Sequence, residues 1–203
     1  MNNKQNYYKC PNCGNILNIV SKHLKMVKCY SCNSTISLNS KGELNITKSV
    51  KLREEPSLIK LNRYFKIDDT KYYPAGKIRY SYGRGFWEEW FVISDNKEEY
   101  WLSVDEGEFI LEQKKKIDIK IDNPLKIEIG TMLNGYVVQE KGQGECVGFE
   151  GELPKFVKVG DIHSYLHLDG GYGKIITYEY SDNEIETFEG NWIDTSSIKV
   201  NFE

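Results

Sequence analysis

The sequence predicts a mainly β protein, with a small four-cysteine metal module at its head and an antiparallel sandwich or barrel-like body behind it. Three observations carry that expectation. Cys10, Cys13, Cys29 and Cys32 form two Cys-x-x-Cys pairs within the first 40 residues. Beyond them, short runs of aromatic and β-branched residues recur between turn-forming residues. No stretch carries the apolar period of a helix longer than about two turns, where about three turns is usual.

The head comes first. A Cys-x-x-Cys pair bends into a knuckle that aims both sulfurs at one ion, and two knuckles complete a tetrahedral thiolate site, the pattern of a zinc ribbon. Pro11 stiffens the first knuckle, and Gly14 and Asn33 follow the second cysteine of each pair, where left-handed backbone is needed. The expected cofactor is Zn2+ in a structural role, because four protein ligands leave no open position for chemistry. Two disulfides would require an oxidising compartment. No apolar export stretch precedes the cysteines, so a reducing cytoplasm is the expected location. Thr35-Ile36-Ser37-Leu38 and Glu43-Leu44-Asn45-Ile46 read as two strands around the turn Asn39–Gly42. The ribbon is therefore assigned to residues 5–47. Residues 48–57, with Lys51, Arg53, Glu54, Glu55 and Pro56, read as a polar linker.

Residues 58–203 form the body. Phe86–Ile93 is a strand by composition, followed by the turn Ser94-Asp95-Asn96 and a second strand around Tyr100-Trp101-Leu102. Asp105-Glu106-Gly107 turns the chain into Phe109-Ile110-Leu111. Residues 116–121 alternate, with Ile117, Ile119 and Ile121 on one face, and Ile127 and Ile129 resume the alternation after Asn123-Pro124. The strands 175–178, 185–188 and 198–200 close the chain. Residues 61–90 and 129–154 share an order of tyrosine strand, glycine stretch and glutamate motif, a weak sign of two repeated halves.

Two motifs of the body resemble a known family. One is Trp87-Glu88-Glu89-Trp90 with Tyr100-Trp101-Leu102-Ser103 and Gly107-Glu108-Phe109. The other is Glu150-Gly151-Glu152-Leu153-Pro154, then Gly160, Ile176-Thr177-Tyr178 and Phe188-Glu189-Gly190. Over residues 58–202 the chain is similar to the domain of unknown function 4178, a bacterial β-rich domain often preceded by a zinc ribbon. The resemblance implies an accessory role, in a stress- or polyamine-related pathway. Family members carry an Asp-Leu pair where this chain has His167-Leu168, so a role for that aspartate does not carry over.

The candidate functional residues follow from side-chain chemistry. Glu89 shares a strand face with Trp87 and Phe91, and a carboxylate among aromatics such as Trp87, Trp90 and Trp101 suits a small amine ligand. The plainer alternative pairs Glu89 with Arg79 or Arg84. Glu150 and Glu152 lie two apart on one strand, but with Gly151 between and Pro154 after they read as turn or recognition residues rather than acid–base partners. His163 and His167 read as satisfied or surface histidines and Cys146 as a buried thiol. No complete catalytic constellation is legible, so the expected function is a non-enzymatic accessory or adaptor protein that binds a protein partner or small ligand through the body. The alternative is a nucleic-acid contact through the ribbon, because residues 1–40 hold Lys4, Lys9, Lys22, Lys25 and Lys28 and no acid, in a chain of net charge -3. No apolar run approaches the roughly 20 residues of a membrane span.

Overall fold

The computed structural model describes residues 8–39, 41–47, 50–118, 121, 124–181 and 184–200. Strands β1 (Tyr8–Lys9) and β2 (Ile16–Leu17) flank the first knuckle. Strands β3 (Met26–Lys28), β4 (Thr35–Leu38) and β5 (Leu44–Thr47) make a small antiparallel sheet around the second. Leu17, Leu24, Val27 and Ile36 pack with Cys10 and Cys29 as the ribbon's own core. The β4–β5 hairpin forms as expected. The Asn39 side-chain oxygen accepts from the backbone N–H of Lys41 and Glu43, and Gly42 takes a left-handed φ of 79°. Ser40, within that turn, lies outside the described residues.

The body is a closed antiparallel barrel. Its strands are β6 (Phe65–Ile67), β7 (Thr70–Ser81), β8 (Phe86–Ser94), β9 (Glu99–Asp105), β10 (Glu108–Lys114), β11 (Met132–Leu133), β12 (Tyr136–Leu153), β13 (Ile162–Gly171), β14 (Lys174–Ser181), β15 (Glu184–Ile193) and β16 (Ile198–Lys199). Around the barrel the order is β7-β8-β9-β10-β15-β14-β13-β12, and β12 closes back onto β7. Closure depends on the length of β12. Residues Val137 to Glu145 pair with β13, Glu145 to Gly151 pair with β7, and Glu152 and Leu153 pair with Val27 and Met26 of β3. One strand thus joins both halves of the barrel and then carries the sheet into the ribbon.

The two halves are alike. Each begins with a short strand and a tight turn holding a left-handed residue, Asp68 or Asn134. A long strand and three more strands of a meander follow. The first long strand of one half pairs with the first long strand of the other (β7–β12) and last with last (β10–β15), the arrangement of a two-fold axis. The repeat therefore spans residues 65–114 and 132–193, wider than the stretches whose similarity is visible in sequence.

Alternation places one face of each strand in the barrel and the other against a cover. Inside lie Tyr80, Trp87, Phe91, Trp101, Cys146 and Phe188. Outside the first half, Trp90, Val92, Leu102 and Phe109 pack under Ile59, Phe65 and Ile67. Outside the second, Val138, Leu166, Leu168, Ile176 and Tyr178 are covered by Ile117, Ile121 and Ile127. The alternating run 116–121 is therefore not a strand over its described residues, and Ile129 is exposed. Ile117 and Ile121 seal an outer face, and β10 before them is already paired on both edges. Ile119 lies outside the described residues. The stretch read as a linker is anchored over its described part, residues 50–57. Leu52 is buried, the Arg53 carbonyl accepts from Arg79 at 2.8 Å, and the Val50 carbonyl accepts from the Lys28 ammonium at 2.6 Å.

Candidate functional site

The four head cysteines come together as their spacing requires. All four sulfurs lie within 4.8 Å of one another, with Cys10 Sγ 3.6 Å from Cys32 Sγ and Cys13 Sγ 3.8 Å from Cys29 Sγ. A tetrahedron with metal–sulfur bonds of about 2.3 Å has edges of about 3.8 Å, so the cluster fits one ion. The knuckles repeat one backbone pattern. Cys10 N–H donates to Asn15 and Gly14 N–H to Cys10; Cys29 N–H donates to Ser34 and Asn33 N–H to Cys29. Gly14 and Asn33 have φ of 75° and 59°, the left-handed backbone that their positions called for. Four thiolates in this arrangement could hold one metal ion and would fill a tetrahedral coordination sphere.

Other residues of the ribbon hold it onto the barrel. The Glu152 carboxylate accepts from the backbone N–H of Val20 at 3.1 Å and of Ser21 at 2.9 Å, and Lys25 N–H donates to the Leu153 carbonyl. His23 and Ser21 contact the Glu99 carboxylate, and Met26 enters the barrel core. The Glu-Gly-Glu-Leu-Pro motif thus acquires a physical meaning. Gly151 has φ +74°, and a Cβ there would stand 2.1 Å from the Ala75 carbonyl oxygen; one on Gly76 opposite would stand 1.9 Å from the Glu152 carbonyl oxygen. Only glycines let β7 and β12 approach this closely. Burial pushes the Glu152 carboxyl up to about 7 against the pull of its two N–H donors.

The barrel interior carries charge. Glu89 accepts from Trp87 Nε1 at 3.0 Å and Ser103 Oγ at 2.7 Å, and burial with the nearby Glu179 charge pushes it up to about 7. Glu112 accepts from the Thr177 hydroxyl, and burial raises it to about 8. Lys155 donates to Glu179 at 2.9 Å, with its ammonium 4.7 Å from the Trp101 ring centroid. Burial alone would raise Glu179, but the attraction of Lys155 and the hydrogen bond from it, together with contributions from His163 and His167, hold the carboxyl below its ordinary value.

At the ribbon end the barrel opens into a cleft of about 1100 Å³. Its base is Tyr80, His163, Lys155 and Glu179, its walls include Met26, Cys146 and Phe149, and Lys25, Thr35 and Ser37 of the ribbon form one side. The 154–161 loop forms the rim, where Phe156, Val159 and the adjacent Ile162 are 59%, 43% and 52% exposed. The lining contains four lysines (25, 114, 155, 158) and four carboxylates (Asp161, Glu179, Glu184, Glu186).

The other residues singled out from sequence are dispersed. Trp87, Glu89, Trp90 and Trp101 are buried, so the tryptophan strands line cores and offer no open groove. Trp90 points outward from the barrel, with the Lys77 ammonium 4.8 Å from its ring, while the other three point inward. The amine site imagined at Glu89 is closed, because Trp87 and Ser103 occupy the carboxylate; Arg79 binds Glu88 instead. Glu150 is half-buried, and Glu152 is turned to the ribbon, so neither joins Glu89, whose charged neighbours are Glu179 and Lys155. Cys146 is buried, which pushes its thiol up to about 11. Of the ribbon lysines, 9, 22 and 25 are exposed, Lys28 is tied to Val50, and Lys4 lies outside the described residues. Sequence reasoning passed over Tyr80, Glu112, Lys155 and Glu179. A carboxylate directly after the apolar runs 109–111 and 175–178 was a visible signal for the two glutamates. Lys155 had none, since a lysine after proline is ordinary in a loop.

The model of one family, Domain of unknown function (DUF4178), matches residues 60–195. No curated protein and no solved structure matches the chain. The matched span starts before β6 and ends after β15, which is the whole barrel without the ribbon.

Proposed function

This chain belongs to the DUF4178 family, and on that premise we propose that it is a non-enzymatic adaptor. Its zinc-stapled ribbon and its barrel together shape a cleft for a protein partner. The observation that carries the reading is the apolar rim: Phe156, Val159 and Ile162, spaced three residues apart, stand exposed at the mouth of a cleft built jointly by ribbon and barrel. Exposed large apolar groups around a charged base are the composition of a protein-binding surface. The balance of four lysines and four carboxylates in the lining suits a polypeptide better than a phosphate backbone, which calls for an excess of cations. The buried charges of the barrel already serve one another, Lys155 with Glu179 and Glu112 with Thr177, which favours binding over catalysis. Zinc is the ion proposed for the cluster, because paired Cys-x-x-Cys knuckles with four thiolates are a common structural zinc set, and such a site suits a reducing cytoplasm.

The test is capture from the source cell by the metal-loaded chain, followed by reconstitution with the purified candidate. Phe156→Asp and Ile162→Asp alter exposed positions and leave the fold intact. The adaptor reading requires that the reconstituted complex weaken at least tenfold in both, and that crosslinks map to residues 154–162. A complex indifferent to both substitutions refutes it. Turnover of a small molecule by the purified chain would refute the non-enzymatic reading.

A further inference from the structure

The base of the cleft contains polar groups that the fold does not use. Tyr80 and His163 are 3% and 6% exposed, and their rings stack at 4.5 Å. Neither the Tyr80 hydroxyl nor either imidazole nitrogen has a hydrogen-bond partner among the described residues; a Glu179 carboxylate oxygen stands 3.8 Å from His163 Nε2, beyond hydrogen-bond distance. Buried polar atoms nearly always have partners, and an exception calls for a reason. Trp90 Nε1 is the one sealed and unpartnered side-chain atom among the described residues, so the Tyr80 and His163 polar atoms meet the space of the cleft that they line. Beside them the Lys155 ammonium uses one of its three N–H bonds on Glu179. The base thus presents donors and acceptors together, over walls that include Met26, Phe149 and Val157.

We propose that the base formed by Tyr80, His163, Lys155 and Glu179 is a small-molecule site. Its ligand is an uncharged compound that carries a hydrogen-bond donor and an acceptor on an apolar body, of the amide or neutral-heterocycle class. Charge decides the class. Lys155 and Glu179 already neutralise each other, and burial holds His163 as the neutral imidazole, down to about 4. A charged ligand would enter a low-dielectric base with no unpaired counter-charge, and burying an unpaired charge is among the costliest steps available. An uncharged amide, by contrast, gives the hydroxyl, the imidazole and the remaining ammonium N–H groups the partners they lack. The inference deepens the adaptor reading by placing a ligand beneath the partner's rim.

The experiment uses the full metal-loaded chain and follows backbone amide shifts in 1H–15N spectra. The neutral probes are benzamide, nicotinamide and uracil; benzoate and benzylamine are their charged counterparts. The expected result is saturable movement of the amides of Lys155, His163 and Glu179 with neutral probes at millimolar concentration, and at least tenfold weaker response to the charged pair. His163→Phe and Tyr80→Phe preserve the ring stack and delete the polar atoms. Each is expected to weaken the neutral probes at least tenfold with little change in Tm, because the deleted polar atom faces the cleft and makes no contact that holds the fold. Three results would overturn the proposal: no saturable shifts with any neutral probe, equal binding of the charged pair, or undiminished binding in both variants. Partner capture by the rim should be indifferent to His163→Phe, so loss of the ligand site and loss of the adaptor reading are told apart.

Discussion

Removal of the metal should weaken a barrel that holds none of its ligands. Without the ion the ribbon has only a handful of core residues, too few to stay folded alone. Its unfolding withdraws Met26 from the barrel core and exposes Leu153, which is fully buried. Burial of a methionine side chain is worth about 1.5–3 kcal/mol. The bond from Lys25 N–H to Leu153 and the pairing of β3 with β12 contribute about 1 kcal/mol per hydrogen bond. Glu152 adds little to the balance, because it regains water as it loses the N–H groups of Val20 and Ser21. The barrel should therefore lose about 4 kcal/mol, which for a domain of this size lowers Tm by roughly 10 °C. The assay is built into the sequence: all four tryptophans, 87, 90, 101 and 192, lie in the body and none in the ribbon. Near-ultraviolet circular dichroism of tryptophan, recorded with and without a chelator and on Cys29→Ser, reports the barrel alone. The signal should persist at 25 °C and melt early. A barrel Tm that moves by less than about 2 °C would show that ribbon and barrel are independent, and would refute the coupling through β12.

Other outcomes follow from the same contacts. Gly151→Ala drives a methyl into the Ala75 carbonyl at a left-handed φ and should cost more than about 2 kcal/mol in urea unfolding. Glu89, Glu112 and Glu152 have native pKa values raised to about 7, 8 and 7. The native state thus holds protons more tightly than the unfolded chain, so their contribution is full near pH 4 and is lost as pH rises to about 8. Tm should fall between pH 5 and 8, and Glu112→Gln, which mimics the protonated form, should flatten that slope and raise Tm at pH 8. Lys155→Ala leaves Glu179 buried without its counter-charge and should destabilise by about 3–5 kcal/mol, with Glu179→Gln in the same chain restoring most of the loss. Fluorescence anisotropy with single-stranded and duplex oligonucleotides should show no binding that falls steeply with salt; a salt slope of several ions would reinstate the nucleic-acid reading.

The strands and their faces were legible because alternation is a local property. Phe86–Ile93 and 175–178 announce two buried faces by composition, and the turns at Asp95, Gly107 and Gly42 follow from local chemistry. The run 116–121 misled for the same reason: a period of two states that one face is apolar, not that a neighbouring strand is free to pair. The tryptophans misled in another way. Aromatic residues on a strand read alike whether they face a groove or a core, and closure of the barrel decided for the core.

By itself the sequence determined the four-cysteine cluster, since the sulfurs of each pair are placed by the spacing of one short loop. It also determined the β character, and through Gly151 and Pro154 it marked a special place in the chain. Tertiary structure decided what that place does. Whether β12 closes on β7, whether Glu152 turns to the ribbon, and whether Lys155 meets Glu179 all depend on contacts between residues far apart in the chain. The cleft is the plainest case. Its base draws on β7, β13, β14 and the loop after β12, and its side on the ribbon, so no segment read alone contains it.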